Sequence, residues 1–251
     1  MKKFGVFDLD GTVYRGTLTF DVVEELMMLP EFAAEKKEIE DAKRIWKERG
    51  STEAYWVYNK TLLKEFDQFA VRVSTARLAA VARHVLDTKR LFRYAYTSAL
   101  IGRLKAEGRT LIAISGSITD VVDPFARAVG FDIVVSSALE IVEGKYTGKR
   151  VSWTNKNKDQ IVQNVVAEHG LTLEDSIGVG DTHRDIGMLS QVEHPIAFNP
   201  NAALYDAANK RGWKIVIERK NMVFELAKKG NGYVVESAHP SHEGPHQEHL
   251  H

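Results

Sequence analysis

The residues able to do chemistry gather in four short stretches. The first is Phe7-Asp8-Leu9-Asp10-Gly11-Thr12-Val13, an apolar run that delivers two acids and then a Gly-Thr turn. Side chains two apart along a strand point the same way. Two like charges at a strand end call for a cation, a phosphate-site role, or both; the plainer alternative is an acidic turn bound to nothing. The second is Ser115-Gly116-Ser117, directly after the apolar run TLIAI. A hydroxyl there, with the N–H groups of the turn, can hold a phosphate oxygen, or it can simply cap a helix. The third is Lys158, which opens a helical pattern after Asn155-Lys156-Asn157. A cation at a helix N-terminus opposes the macrodipole, a misfit that an anionic partner would relieve; a solvated lysine is the alternative. The fourth is Gly180-Asp181-Thr182-His183-Arg184-Asp185. Its two acids fall on one face of a first helical turn, unless Asp181 is only an N-cap and Asp185 a solvated residue. A carboxylate nucleophile, another acid, a cation site, a hydroxyl and a lysine are the parts that phosphoryl transfer uses.

Three of the four stretches follow predicted strands. Residues 3–8, 110–115, 131–135, 176–179, 195–198 and 213–217 are nearly continuous in Val, Ile, Leu and Phe, as buried parallel strands are. Helix-length segments at 118–129, 158–169 and 202–210 lie between them, and Gly130 and Gly170 stand where helices would end. This alternation predicts an α/β fold, a three-layer Rossmann-like core around a parallel sheet. Open sheets of that kind place ligands at the carboxyl ends of their strands. The rhythm breaks at 17–91, where only helical patterns occur: 20–29, 32–48, then Trp56, Leu62, Leu63, Phe66 and Phe69, then Leu78, Val81, Val85 and Leu86. The expected organisation is an inserted all-α helical cap domain at 17–91 between core segments 1–16 and 92–230. A small β-hairpin is expected over 139–154, turning at Glu143-Gly144. From 231 the chain is polar, and five of the nine histidines follow position 238; residues 231–251 read as a disordered tail. His242, His246, His249 and His251 could take a transition metal, though nothing in their spacing sets a geometry.

Composition narrows the classes. With no cysteine in 251 residues, disulfides, thiolate nucleophiles, iron–sulfur clusters and cysteine-type zinc sites are excluded. The 34 basic and 34 acidic residues balance, so neither nucleic acid nor an anionic membrane is an expected partner. No apolar stretch approaches the roughly 18 residues of a membrane span. The opening MKKFGVFDLDG resembles a signal peptide for a few residues only, before Asp8 and Asp10 interrupt it. The expected location is cytoplasmic.

Taken in order, the four stretches resemble the motifs of the haloacid dehalogenase superfamily of phosphohydrolases, over residues 2–229. Asp8 to Thr12 matches Asp-x-Asp-Gly-Thr. Ser115 matches the strand-end Ser or Thr, and Gly180, Asp181 and Asp185 match Gly-Asp-x-x-x-Asp. Lys158 matches the family lysine better than Lys156, because it leads directly into the amphipathic segment 161–166. The helical insert, together with Ala128-Val129-Gly130-Phe131-Asp132, Gly144-Lys145-Tyr146-Thr147-Gly148 and Phe198-Asn199-Pro200, resembles the phosphoserine-phosphatase-like branch. That branch usually carries a substrate-binding glutamate soon after the first motif. Here Thr17 stands near that place and the next acid is Asp21, so the resemblance carries the reaction and not the phosphoserine substrate.

The resemblance implies a Mg²⁺-dependent phosphomonoester hydrolase acting on a small phosphorylated metabolite through an aspartyl-phosphate. It implies Asp8 as nucleophile, Asp10 as general acid and base, and Ser115, Gly116 and Lys158 around the phosphate. Mg²⁺ would take the carboxylates of Asp8 and Asp181 and the backbone carbonyl of Asp10, with Asp185 orienting them from outside. Arg15, Thr17, Arg49 and Arg72 are candidates for substrate selection, as are Tyr14, Trp46 and Trp56; the two tryptophans suit a cap core better, and His183 is either a substrate contact or a surface residue. A phosphotransferase of the same superfamily is the nearest alternative. A phospho-receiver signalling module fits less well, because such modules lack a helical insert and usually carry adjacent acids. A dehalogenase fits poorly, since Asp10 supplies the acid that phosphate chemistry uses.

Overall fold

The residues Phe-Gly-Val-Phe form β1 (Phe4–Phe7), buried along its whole length. In the computed structural model, which describes residues 1–89 and 91–241, β1 lies inside a nine-stranded sheet. The other strands are β2 (Thr110–Ile118), β3 (Ile133–Val142), β4 (Lys145–Ser152), β5 (Ile177–Gly180), β6 (His194–Phe198), β7 (Lys214–Arg219), β8 (Met222–Lys229) and β9 (Gly232–Pro240). Their order is β4-β3-β2-β1-β5-β6-β7-β8-β9. The six strands from β3 to β7 run parallel, and antiparallel β4, β8 and β9 extend the two sides. From β1 the chain first builds towards β3, then crosses back to build from β5 outwards. The crevice between β1 and β5 is therefore the switch point at which open α/β sheets place ligands.

Alternation along β1 sends Phe4 and Val6 to one face and Phe7 to the other, as a two-residue period requires. Helices α7 (Lys158–Glu168), α8 (Ile186–Leu189) and α9 (Ala202–Arg211) cover the first face through Val162, Met188 and Leu204. Helices α5 (Ala95–Ala106) and α6 (Thr119–Val129) cover the second through Leu104 and Phe125. Gly5 permits the close approach of α5: a Cβ there would stand 2.7 Å from Leu104 Cδ1.

Between β1 and α5 the chain forms α1 (Leu18–Leu26), α2 (Ala33–Arg49), α3 (Thr52–Phe69) and α4 (Thr75–Lys89). Gly50 ends α2 at φ +61°, and Ser51 caps α3 by accepting from the Ala54 N–H at 3.2 Å. Left-handed glycine after a helix and a hydroxyl before one are the expected stop and start signals. The apolar faces of these helices continue the second core, where Val22, Leu62 and Leu78 join Phe125. The β3–β4 hairpin braces them from the side. Its turn residues Glu143 and Gly144 both have positive φ, at 49° and 75°, as tight hairpin turns need. The Gly144 carbonyl accepts from the Thr75 N–H at the start of α4, and Arg150 pairs with Asp67 of α3 at 2.8 Å.

Two expectations change at the C-terminal end. Residues 232–240, read from sequence as the beginning of a disordered tail, form β9 and pair along β8, itself a strand not expected from the pattern. The hydrophobic signal was hidden because Val234 and Val235 are consecutive rather than alternating. Pairing with β8 after a turn at Gly230, φ +60°, satisfies the backbone without needing a buried apolar face. His242, His246, His249 and His251 lie outside the described residues. Among the described residues no helix is long and apolar enough to cross a membrane.

Phe125 is 1% exposed and stands edge-on to Tyr14, with ring centroids 5.5 Å apart, where sheet face and helical segment meet. Phe125→Ala is expected to lower unfolding free energy by about 3–5 kcal/mol. Urea denaturation followed by circular dichroism checks this.

Candidate active site

The four stretches singled out in the sequence converge at the carboxyl ends of β1, β2 and β5. Register does the first part. Phe7 pairs with Ala113 on one side and Val179 on the other, so Asp8, Ser115 and Asp181 leave neighbouring strands at similar heights. The Asp8 N–H donates to the Val179 carbonyl at 2.9 Å. The chain then turns at Gly11, φ +82°, where a Cβ would lie 2.2 Å from Asp181 Oδ2. Glycine is required there both for backbone conformation and for the space beside Asp181. Thr12 Oγ1 spans the gap, 3.3 Å from Asp8 Oδ2 and 3.4 Å from Asp181 Oδ1.

Lys158 begins α7 and turns inward, with 3% of its surface exposed. Its Nζ donates to Asp8 Oδ1 at 2.6 Å, to Asp185 Oδ1 at 2.7 Å and to the Ile114 carbonyl at 3.3 Å. Lys156, the local rival, is exposed. The other oxygen of Asp185 accepts from the backbone N–H groups of Asp181 and Thr182, at 3.2 and 2.9 Å, and from the Thr182 hydroxyl. Asp185 therefore clamps the loop that presents Asp181. Asp10 looks elsewhere. Its Oδ2 accepts from the hydroxyls of Ser115 at 3.0 Å and Ser117 at 2.7 Å, while Oδ1 accepts from the Leu18 N–H at the start of α1, at 2.7 Å.

Charge follows from this packing. Four carboxylates, of Asp8, Asp10, Asp181 and Asp185, surround the single buried ammonium of Lys158. Burial pushes Asp8 up to about 7; Lys158 opposes the rise, and Asp185 and Asp10 reinforce it. Burial likewise raises Asp181 well above the usual carboxylate range, with Asp8 and Asp185 adding repulsion. Asp10 is raised by burial, held back in part by the Leu18 N–H and the two serine hydroxyls. For Lys158, burial favours the neutral amine, but Asp185 and Asp8 outweigh it and hold the pKa above the ordinary lysine value. One oxygen from each of Asp8, Asp181 and Asp185 lies within 4.8 Å of the others. An all-oxygen donor set with excess negative charge fits a hard divalent cation. The carboxylate of Asp10 is outside this cluster, because the serines and Leu18 hold it. Only its backbone carbonyl could join a metal, and both oxygens of Asp185 are already engaged.

A cavity of about 630 Å³ opens over these groups, with Asp8, Asp10, Asp181 and Lys158 in its lining. Ser115 is fully buried and its hydroxyl is tied to Asp10 and the Ser117 N–H, whereas Gly116 and Ser117 reach the cavity. Of the expected selection residues, Arg15, Thr17 and Trp56 line the space. Arg15 is already engaged by Glu218 and lies 4.8 Å over the Tyr94 ring. Arg49 and Arg72 do not line it: Arg49 is exposed at the end of α2, and the Arg72 guanidinium lies 5.1 Å over the Phe32 ring. Tyr14 is core, bonded to Asp21, and Trp46 stacks on Tyr58 with centroids 5.4 Å apart. His183 is exposed beside Asn201. Sequence reasoning missed Thr19, Asn59, Lys60, Arg150 and Arg184, all in the lining, and named Ser117 only as part of the Ser115-Gly116-Ser117 stretch. A signal existed for Asn59, a carboxamide set among the apolar positions Tyr58 and Leu62 of a helix.

Residues 6–190 match the model of the haloacid dehalogenase-like hydrolases. A probable phosphatase of Mycobacterium tuberculosis is 31% identical over 124 residues, 49% of this chain and 43% of that protein, so the match spans less than half of the relative's length. A phosphoserine phosphatase of Methanocaldococcus jannaschii is 26% identical over 88% of this chain and 94% of its own. Among solved structures, a protein of unknown function from Bordetella pertussis Tohama I superposes with a TM-score of 0.67 at 23% identity, over 87% of this chain and 99% of that one. A phosphoserine phosphatase in apo form gives 0.59 at 20% identity, over 87% and 94%. The structural likenesses establish a shared α/β fold.

Removing the ammonium would leave Asp8 and Asp185 facing each other without a counter-charge. Lys158→Met is expected to cost about 3–5 kcal/mol of stability at pH 8. The deficit should shrink at pH 5, below the Asp8 value of about 7, where the acids can take up protons. Urea unfolding at the two pH values measures both parts.

Proposed function

The chain belongs to the haloacid dehalogenase-like hydrolase family, and on that premise we propose that it is a Mg²⁺-dependent phosphomonoester hydrolase that forms an aspartyl-phosphate on Asp8 from a small phosphorylated metabolite. The observation that carries this reading is the division of labour between Asp8 and Asp10. One is held by the buried Lys158 ammonium at 2.6 Å, the other by two serine hydroxyls and a helix N-terminus. Two acids in different settings can take two different roles.

Asp8 attacks phosphorus, and the bond to the leaving oxygen breaks. A carboxylate needs no separate base to become a nucleophile. Lys158 fixes Oδ1 of Asp8, and Oδ2 accepts from the Thr12 hydroxyl. Asp10, which lines the cavity, gives a proton to the leaving alkoxide. The resulting Asp10 carboxylate then takes a proton from the water that attacks the aspartyl-phosphate, which frees inorganic phosphate and restores Asp8. Ser115 and Ser117 keep Asp10 oriented through both transfers, the Gly116 N–H provides a donor for a phosphate oxygen, and the Lys158 charge offsets that of the phosphate. The Asp8 and Asp181 carboxylates and the Asp10 carbonyl would hold Mg²⁺, with Asp185 steadying the Asp181 loop. When bound, the ion offsets the repulsion between a carboxylate and a dianionic phosphate. Helices α1–α4, as a cap over the strand ends, would exclude water and select the leaving group.

Asp8→Asn is expected to abolish Mg²⁺-dependent release of phosphate from 4-nitrophenyl phosphate, and Asp10→Asn to slow it by about 10²–10⁴-fold. Release by the parent protein without added alcohol separates hydrolysis from transfer. Retained turnover in Asp8→Asn would rule out that nucleophile.

Metal binding offers a check independent of turnover. Without a cation, the folded protein holds the Asp8 proton to about pH 7, while the unfolded chain releases it near the ordinary aspartate value of 3.8. The folded state then binds more protons over that interval, so this group's contribution to stability falls as pH rises through it. Mg²⁺ competes with the proton for the same oxygens. Its stabilisation, read as the shift in unfolding midpoint by differential scanning fluorimetry, should be larger at pH 8 than at pH 5.5. Equal shifts at both values would argue against these ligands.

A further inference from the structure

Resting on the reading of this cavity as a phosphomonoester site, we infer that its outer part is a subsite for a leaving group bearing a second anionic group and a hydrogen-bond donor, with Lys60 and Arg184 pairing the anion and Asn59 and Thr19 meeting the donor.

Charge is the first argument. Among the described residues the only carboxylates in the lining are Asp8, Asp10 and Asp181, and each is already engaged by Lys158, by Thr12, or by the serines and Leu18. Four cations besides Lys158 also line the space: Arg15, Lys60, Arg150 and Arg184. Arg15 is neutralised by Glu218 and Arg150 by Asp67. Lys60 and Arg184 have no carboxylate partner among the described residues. Arg184 comes from the loop after β5 and lies 5.7 Å over the Trp56 ring of α3, so its charge stands where the helical segment meets the strand ends. A leaving-group ammonium would meet two cations here and no free acid. A carboxylate or second phosphate would meet both cations.

Unpaired polar atoms are the second argument. Asn59 is 8% exposed and Thr19 3% exposed; both line the cavity, and Asn59 Oδ1 and Thr19 Oγ1 have no hydrogen-bond partner among the described residues. Burying such atoms unpaired is unfavourable. A carboxamide oxygen can only accept, so its missing partner is an O–H or N–H. Tyr55, Trp56, Asn59, Lys60 and Leu63 all reach the space from α3, which combines apolar walls with this polar pair. A volume of about 630 Å³ falls in the roughly 300–1,000 Å³ range of pockets for drug-sized ligands, more than a phosphate alone would fill.

The test compares kcat/KM with Mg²⁺ for three matched esters: phenyl phosphate, 4-(carboxymethyl)phenyl phosphate and 4-(aminomethyl)phenyl phosphate. The carboxylate is expected to be preferred over the amine by roughly 100-fold, two charged contacts at roughly ten-fold each. Lys60→Met and Arg184→Met should each reduce the carboxylate-to-phenyl ratio by roughly ten-fold, mainly through KM. Because ratios are compared within one protein, partial misfolding cancels. Asn59→Leu should reduce the preference for 4-(2-hydroxyethyl)phenyl phosphate over 4-propylphenyl phosphate. Turnover of phenyl phosphate with no preference for the carboxylate, or with a preference unchanged in both cation variants, overturns the subsite and leaves the hydrolase reading standing. No turnover of any ester by the parent protein overturns the hydrolase reading and the subsite with it.

Discussion

One buried ammonium holds the centre of this molecule together. Lys158 is 3% exposed and touches acids from two separate strand ends, Asp8 after β1 and Asp185 after β5. A lone buried charge is strongly unfavourable, and so is a pair of facing carboxylates. The lysine satisfies both at once, but only if α7 starts where it does and β1 and β5 stay in register. Four carboxylates around one ammonium still leave the site negative. That excess gives the site its appetite for a divalent cation. Burial keeps the pKa values of Asp8, Asp10 and Asp181 above their ordinary range, and repulsion between the acids adds to it for Asp8 and Asp181.

Small residues make the convergence possible. Gly11 turns the chain beside Asp181 where any Cβ would collide with the carboxylate, and Gly180 does the same beside Asp185, with a Cβ only 2.5 Å from Asp185 Cβ. Thr12 and Asp185 then restrain the loops through hydrogen bonds instead of bulk. Asp10 links this centre to the helical segment, because the Leu18 N–H that opens α1 donates to its carboxylate. A shift of α1 would therefore be felt directly by the group that moves protons in the proposed reaction.

The floor and the walls of the cavity differ in sign. The floor gathers carboxylates and, with a cation, would receive a phosphate. The walls contribute Lys60 and Arg184, with Asn59 and Thr19 among apolar side chains. The family relationship speaks to the floor, where the four matched stretches lie. The walls belong largely to the helical segment, through Thr19 of α1 and Tyr55, Trp56, Asn59 and Lys60 of α3. The two regions can thus carry a shared reaction and a different leaving group.

Much of the core was legible in the chain because its signals are local. The run KFGVFD, the strand-end pair Asp8 and Asp10, Ser115 after TLIAI, and Gly180-Asp181 after SIGV each announce a buried strand delivering a polar group. The turn at Glu143-Gly144 and the helix stops at Gly130 and Gly170 are local in the same sense. Strands β8 and β9 were hidden, since their stability comes from pairing with each other and with β7 rather than from a periodic apolar face. What tertiary structure alone decided is direction. It turned Lys158 rather than Lys156 inward and aimed Asp10 at Ser117. It buried Tyr14 and sent Arg49 and Arg72 away from the cavity that Lys60 and Arg184 line. Residue type and spacing specify which groups are available along one strand or helix; which of them meet depends on packing between elements far apart in sequence, which no local pattern encodes.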